Sequence, residues 1–375
     1  MKEKVIVGLS GGVDSAVAAY LLKKKGYDVH AVFMQNWDNA TNNDILGNPF
    51  LKSEKCEQEI DYSDAKKVAK KLGVSIEKVD FIEEYWDRVF KYFLSEYKKN
   101  RTPNPDILCN NEIKFKAFLD FAMSKGAKYI ATGHYANKVK LNDIWHIKRG
   151  VDSTKDQSYF LSQIKSEQIK KTIFPLGEIS KLEVRKIAKD LGLDVAEKKD
   201  STGICFIGER NFSSFLKNYL PAKKGPMKRL DGTYIKEHNG LMFYTIGQRK
   251  GLEIGGVQNV TDPWYVVGKS LVNNTLYVEP NSNHINLYSD KCILKDVIWR
   301  GKRENGDYTA KFRYRQKDSN IKITFLENNN VLVEYPQKVK AVTPGQLCAI
   351  YQNDICLGAG FINEVYYEEK LREYA

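Results

Sequence analysis

The sequence predicts an α/β protein with an N-terminal doubly wound, mainly parallel sheet, a small central domain and a C-terminal antiparallel β-barrel. Three observations carry this. Strand-like and helix-like patterns alternate from the N-terminus to about residue 210, the signature of parallel strands joined by crossover helices. The turn-rich run Pro221-Ala222-Lys223-Lys224-Gly225-Pro226 ends that alternation. Beyond Asn281-Ser282-Asn283 the chain is almost wholly strand and turn. At 375 residues the chain exceeds one ordinary core. These breaks divide it into 1–210, 211–282 and 283–375.

In order, Lys4–Leu9 reads as a buried strand rich in Val and Ile, and Asp14–Lys25 as a helix with Val17, Ala18, Leu21 and Leu22 on one face and Gly26 as its stop. Asp28–Met34 is a second strand. After the long polar insertion Asn36–Asp61, a helix over Asp61–Leu72 stops at Gly73, and Val74–Val79 is a third strand. Helices over about 82–99 and 112–124 precede the strand Tyr129–Thr132. Ser180-Lys181-Leu182-Glu183 has the form of a capping box opening a helix that stops near Gly192. Trp264–Lys269 and Thr275–Glu279 flank Asn273-Asn274 as a hairpin. The barrel strands are expected at Tyr308–Arg315, Ile321–Leu326, Val331–Tyr335, Gln346–Tyr351 and Ile355–Ile362.

Composition narrows the function classes. Hydrophobic residues at 42% and charged residues at 28% fit a folded chain and exclude wholesale disorder. Apolar runs such as Val5-Ile6-Val7-Gly8-Leu9 are too short to span a bilayer, and the early glycines and Asp14 leave no room for a signal-peptide core. The 59 basic residues outnumber 47 acidic ones, for +12. That excess is spread along the chain and suits a polyanion such as RNA. The six cysteines, at 56, 109, 205, 292, 348 and 356, form no C-x-x-C pair. Neither a structural zinc site nor a disulfide scaffold is expected, and buried packing is the default for Cys56, Cys292, Cys348 and Cys356.

Gly8-Leu9-Ser10-Gly11-Gly12-Val13-Asp14-Ser15 joins the first strand to the first helix. Adjacent glycines let backbone N–H groups face an anion, the helix start adds its positive end, and Ser10 and Ser15 offer hydroxyls. Neither the Walker ending nor the G-x-G-x-x-G fingerprint is present. The segment resembles the Ser-Gly-Gly-x-Asp-Ser loop of ATP pyrophosphatases. That resemblance implies cleavage of ATP between its α and β phosphates, with Asp14 helping to hold Mg2+.

Two cysteines have marked surroundings. In Arg101-Thr102-Pro103-Asn104-Pro105-Asp106-Ile107-Leu108-Cys109, two prolines stiffen the approach to Asp106 and Cys109. A helix beginning near Asp106 would place carboxylate and thiol on one face and favour thiolate. Cys205 lies in a small-residue turn flanked by Lys198, Lys199 and Arg210, and cations also favour thiolate. Either cysteine alone reads more readily as structural. Two beside an ATP-splitting loop can pass a sulfur atom and close a disulfide.

The ordered series of motifs extends through the chain. It includes the glycine loop, Phe33-Met34-Gln35-Asn36-Trp37, Thr102–Phe115, Thr132-Gly133-His134-Tyr135-Ala136 and Lys155-Asp156-Gln157-Ser158-Tyr159-Phe160-Leu161. It continues with Asp200–Arg210, Thr245–Gly251, Phe312-Arg313-Tyr314-Arg315 and Ala341–Gln346. This series resembles the tRNA-specific 2-thiouridylases of the MnmA type. The match is weakest in the insertion near 38–60.

The resemblance implies a nucleotide-hydrolase-like fold and 2-thiolation of the wobble uridine of tRNA, with release of AMP and pyrophosphate. It places Gly8, Leu9, Ser10, Gly11, Gly12, Val13, Asp14, Ser15, Met34 and Gly133 around ATP, and Asn104, Pro105 and Asp106 on the target base. It places Lys155, Asp156, Gln157, His134, Arg313, Tyr314 and Gln346 on the tRNA. Arg313 and Arg315 would share one strand face suited to phosphates, with Tyr314 stacking on a base. Cys205 would carry a persulfide from a cysteine desulfurase or sulfur-relay protein. Cys109 would be its partner and Asp106 the acid or base. Lysine, glutamate and glutamine tRNAs are the expected substrates, and a cytoplasmic monomer with no membrane association is expected. Alternatives are another pyrophosphate-loop ligase, of the argininosuccinate- or lysidine-synthase kind, which needs no cysteine pair, and a non-catalytic RNA-binding protein. A zinc deaminase lacks its H-x-E…C-x-x-C set.

Overall fold

The first strand is built from Lys4–Gly8 (β1), whose Val5, Ile6 and Val7 are buried on both faces, as a central parallel strand requires. The computed structural model describes residues 2–49, 57–200, 207, 210–255 and 261–372. Cys56 and Cys205 lie outside the described residues. The chain forms two compact units. The first comprises Met1–Lys91, Pro105–Asn218 and Gln352–Leu357, and the second Tyr92–Asn104, Tyr219–Tyr351 and Gly358–Ala375.

In the first unit β1 pairs in parallel with β2 (Asp28–Gln35), through Val5 opposite Val29. The chain continues through α1 (Val13–Lys24), α2 (Glu57–Leu72) and β3 (Ser75–Asp80). It then passes α3 (Ile82–Tyr85), α4 (Lys91–Lys98, which from Tyr92 on belongs to the second unit), α5 (Pro105–Leu108) and α6 (Phe118–Ser124) to β4 (Tyr129–Ala131). After β5 (Ala136–Leu141) and β6 (Ile144–Arg149) come α7 (Ser166–Lys170), β7 (Thr172–Ile173), α8 (Lys181–Asp190) and α9 (Phe212–Lys217). The sheet order is β3-β2-β1-β4-β7, with β1 in the middle and the glycine loop at its carboxyl end, where open α/β sheets bind ligands.

Alternation along β1 assigns the two faces. Val5 and Val7 join a core with Val17 of α1, Val68 of α2 and Val184 of α8. A Cβ on Gly8 would meet Phe118 of α6 at 3.7 Å and Met34 at 3.0 Å on the opposite side. Burying a side chain such as Val17 or Leu22 is worth about 1.5–3 kcal/mol, so this two-sided cover fixes the loop's base. The capping box forms as expected: Ser180 accepts from Glu183 N, and Glu183 accepts from Ser180 N.

Three expectations need correction. The helix expected over 82–99 is interrupted by a π-helical turn at Trp86–Phe90. The helix expected from 112 begins at Pro105, which suits a first turn because it lacks an N–H. It runs through a π-helix over Cys109–Ala117. The strand expected to reach Arg315 ends at Lys311, and Phe312–Arg315 bend and turn instead. Arg313 and Arg315 therefore do not share a strand face. The hairpin β5–β6 went unforeseen; its two turn residues, Asn142 and Asp143, both have positive φ.

The second unit holds a four-stranded sheet and the barrel. The sheet consists of β8 (Gly225–Lys228), β9 (Tyr234–His238), β10 (Trp264–Ser270) and β11 (Thr275–Pro280), in the order β10-β11-β8-β9. The expected hairpin is the β10–β11 pair. The barrel strands are β12 (Tyr288–Trp299), β13 (Gly306–Lys311), β14 (Ser319–Phe325), β15 (Val331–Lys340), β16 (Leu347–Gln352) and β17 (Ile355–Tyr367). They run β12-β15-β14-β13-β16-β17, and β12 pairs with β17 to close the ring. Closure removes the unpaired edges of an open sheet. Cys292 and Cys348 are buried in this core. Among the described residues no helix is long and apolar enough to cross a membrane.

Candidate active site at the glycine loop

The loop closes on itself through short bonds. Ser15 Oγ accepts from Ser10 N at 3.1 Å, lies 3.1 Å from Ser10 Oγ and donates to Gly12 O. Gly11 has φ +76°, and a Cβ there would meet Asp61 O at 2.2 Å. Only glycine fits, on both backbone and space. Gly133 has a different reason: a Cβ would stand 2.8 Å from Ser15 N, so glycine lets the β4 end lie against the start of α1.

Charged groups converge beside the loop. Tyr135 Oη donates to Asp14 Oδ1 at 2.7 Å, and Lys181 Nζ donates to Asp14 Oδ1 and Oδ2 at 2.7 and 2.8 Å. Burial first, and the Asp14 carboxylate second, push the Tyr135 hydroxyl up, so it stays a donor. Lys181 Nζ also lies 2.8 Å from Asp200 Oδ1, which Arg185 approaches at 3.1 Å, while Lys155 holds Asp200 Oδ2 at 2.8 Å. Burial would raise the Asp200 carboxyl, but hydrogen bonds from Lys155 and Lys181 outweigh it and bring it to about 2. Lys198 ties the loop from behind, donating to Gly11 O, Asp61 and Asp64. Amides, cations and a half-exposed carboxylate in one place fit a polyphosphate.

Cys109 opens the π-helical run and is fully buried, whereas Asp106 is half-buried. The helix begins at Pro105, beside Asp106 and not at 112, so the condition for a shared face is met, but the thiol is not presented to solvent. π-Helices are rare and concentrate at functional sites. Phe118, nine residues further on at the start of α6, packs beside Gly8. Cys205 lies outside the described residues, five positions after Asp200 in the sequence. On its other side Arg210 Nε donates to Asp44 Oδ2 at 2.9 Å, with Glu57 at 3.4 Å from Arg210. Trp37 Nε1 donates to the same Asp44 oxygen at 3.1 Å, so the insertion after β2 is a packed anchor for the chain beyond Cys205.

Residues 3–209 match the tRNA methyl transferase HUP domain, 213–280 the tRNA methyl transferase PRC-barrel domain and 289–362 the aminomethyltransferase beta-barrel domain. The tRNA-specific 2-thiouridylase MnmA of Acholeplasma laidlawii (strain PG-8A) is 60% identical over 375 residues, covering 100% of both chains. MnmA 1 of Geobacillus kaustophilus (strain HTA426) is 54% identical over 371 residues, covering 97% of this chain and 96% of that one. This chain belongs to the MnmA family.

Against that membership, several residues expected on tRNA are engaged internally. His134 is buried, with Nδ1 2.8 Å from Thr132 Oγ1, and burial first and Lys114 second hold it well below the ordinary histidine range. Asp156 accepts from Gly150 N, Ser158 N and Ser158 Oγ. Gln157 Oε1 accepts from Tyr135 N. In the second unit, Gln346 Nε2 donates to Thr102 O, and Arg313 donates to Ile246 O, Ala341 O and Thr343 Oγ1. Lys155, Tyr314, Asn104 and Pro105 keep partial exposure. Met34 is buried against the Gly8 side of the sheet. Sequence reasoning missed Lys181, Arg185 and the Arg210–Asp44 pair. Lys181 stands 167 residues from Asp14, and a lysine after a helix cap carries no signal of that contact.

Proposed function

We propose that this chain replaces the 2-oxygen of the wobble uridine of tRNA with sulfur, at the expense of ATP cleaved to AMP and pyrophosphate. The observation that carries the reading is the ion-pair cluster that runs from Asp14 beside the glycine loop through Lys181 to Asp200, Lys155 and Arg185, in a chain whose full-length relatives are named tRNA-specific 2-thiouridylases.

The base leaves its stack, because its 2-position is out of reach in place. Its 2-oxygen attacks the α-phosphate, so AMP becomes the leaving group and pyrophosphate departs. Loop amides, Lys181 and Lys155 stabilise that departing charge. Asp14, whose carboxylate now accepts from Lys181 and Tyr135, would hold Mg2+, and the ion would supply further neutralisation of pyrophosphate. Cys205 carries the persulfide. Its outer sulfur attacks the 2-carbon and AMP leaves, after which Cys109 attacks the inner sulfur and breaks the S–S bond to free the thiolated base; or Cys109 attacks the inner sulfur first, and the hydrosulfide it frees attacks the 2-carbon and expels AMP. Either way the transferred sulfur is reduced while Cys109 and Cys205 are oxidised to a disulfide, which a thiol reductant reopens. Cys109 must emerge from burial to react, so opening of the turn at Asp106–Cys109 belongs to the cycle. Asp106, half-buried beside it in sequence, serves as acid or base. The spread positive charge and the barrel unit serve tRNA docking.

The test is nucleoside mass spectrometry after unmodified tRNA is incubated with ATP, magnesium, a sulfide source and the protein. The expected product is 2-thiouridine with AMP. A methylated base, or AMP formed on an amine acceptor without sulfur, refutes the reading.

A further inference from the structure

Three cations meet on one carboxylate beside the glycine loop: Lys155 at 2.8 Å, Lys181 at 2.8 Å and Arg185 at 3.1 Å from Asp200. Lys181 also spans both oxygens of Asp14. Three converging cationic donors also match the several acceptor oxygens of a multiply charged oxyanion. The side chains of Asp200 and Lys155 are each 36% exposed and that of Arg185 30%, while Lys181, 9% exposed, stays paired with Asp14, so the carboxylate can leave to water without stranding a buried charge. Arg185 is held independently, by Ala196 O and Lys198 O, and so keeps its place when Asp200 departs.

We propose that Lys155, Lys181 and Arg185 form a binding site for the polyphosphate of a nucleotide, and that Asp200 occupies it as an internal anion displaced when the phosphates enter. The proposal rests on the functional reading above, which supplies the nucleotide. A pyrophosphate brings more charge and more acceptor oxygens than one carboxylate, so it wins the exchange. As pyrophosphate leaves, Asp200 returns and lowers the cost of release. Affinity is thereby held below what the cations alone would give.

The experiment is calorimetric titration of the full chain with inorganic pyrophosphate in magnesium-free buffer. Asp200→Asn binds about ten- to a hundredfold tighter than the native chain, the factor for losing competing bonds to charged groups. Asp200→Glu binds like the native chain, and Lys155→Gln binds more weakly. Asp200→Asn that folds cooperatively yet binds no tighter overturns the proposal while leaving the functional reading intact. A gain with unmodified tRNA and none with pyrophosphate overturns the assignment to a nucleotide. Should Asp200→Asn not fold, undiminished pyrophosphate affinity in Lys155→Gln overturns it. AMP formation by the native chain is measured in parallel, and its absence overturns the functional reading and this proposal together.

Discussion

Two ion clusters flank the stretch that carries Cys205, and they are built on opposite principles. At Arg210 the pair with Asp44 is dry, with side chains 3% and 0% exposed. At Asp200 the cations gather around a carboxylate a third exposed. A buried pair is held because removing either partner strands a charge. An exposed one exchanges partners cheaply, since water replaces what is lost. One end is therefore an anchor and the other a place where ligands can compete.

The sharpest way to break this contrast is Arg210→Ala. It leaves Asp44 buried without its cation and costs about 3–5 kcal/mol, a large part of a marginal total. Urea unfolding should show it, and a loss below ~1 kcal/mol would make the two clusters equivalent. Asp14→Ala works at the other end. It removes the carboxylate shared by Lys181 and Tyr135, so AMP formation should fall by about two to three orders of magnitude with little change in Tm. A parallel collapse of Tm would recast Asp14 as structural. Cys109→Ser and Cys205→Ser should keep tRNA binding and make no thiolated base with purified sulfur donor; full activity in either removes that cysteine from the mechanism.

What the sequence disclosed and what it hid follow from range. The parallel sheet was legible because Val and Ile strands alternate with helices ended by Gly26 and Gly192, and the glycine loop because its chemistry is contiguous. The capping box at Ser180–Glu183 is likewise local. Lys181 was hidden because its partners Asp14 and Asp200 are brought to it by the sheet. The burial of Cys109 was hidden because a π-helix changes which positions face inward, and no local pattern announced one. The Arg-Tyr-Arg run was misread as strand because alternation alone cannot see that Arg313 is drawn off by Ile246 O and Thr343. The insertion read as polar loop because Asp44 finds its partners Trp37 and Arg210 only in the fold.

A smaller effect tests the first unit's interior. His134 is buried and held neutral, so below the ordinary value of 6.5 the unfolded chain binds a proton that the folded chain refuses. Stability therefore falls as pH drops below that value. His134→Gln should flatten this part of the Tm profile, and an unchanged slope would place the histidine's proton elsewhere.

The smallest effect returns to Asp200. Its folded value of about 2 lies below the ordinary 3.8. Between these values the unfolded chain takes up the proton first, so stability rises with pH through that window. The contribution is complete above about pH 4 and lost as pH falls through about 2. Because the carboxylate is a third exposed, its worth is under ~1 kcal/mol. Native and Asp200→Asn chains should differ slightly in Tm at pH 5, and the gap should narrow toward pH 3. A gap of several kcal/mol, or one that widens in acid, would make Asp200 an anchor like Asp44 and erase the distinction between the two clusters.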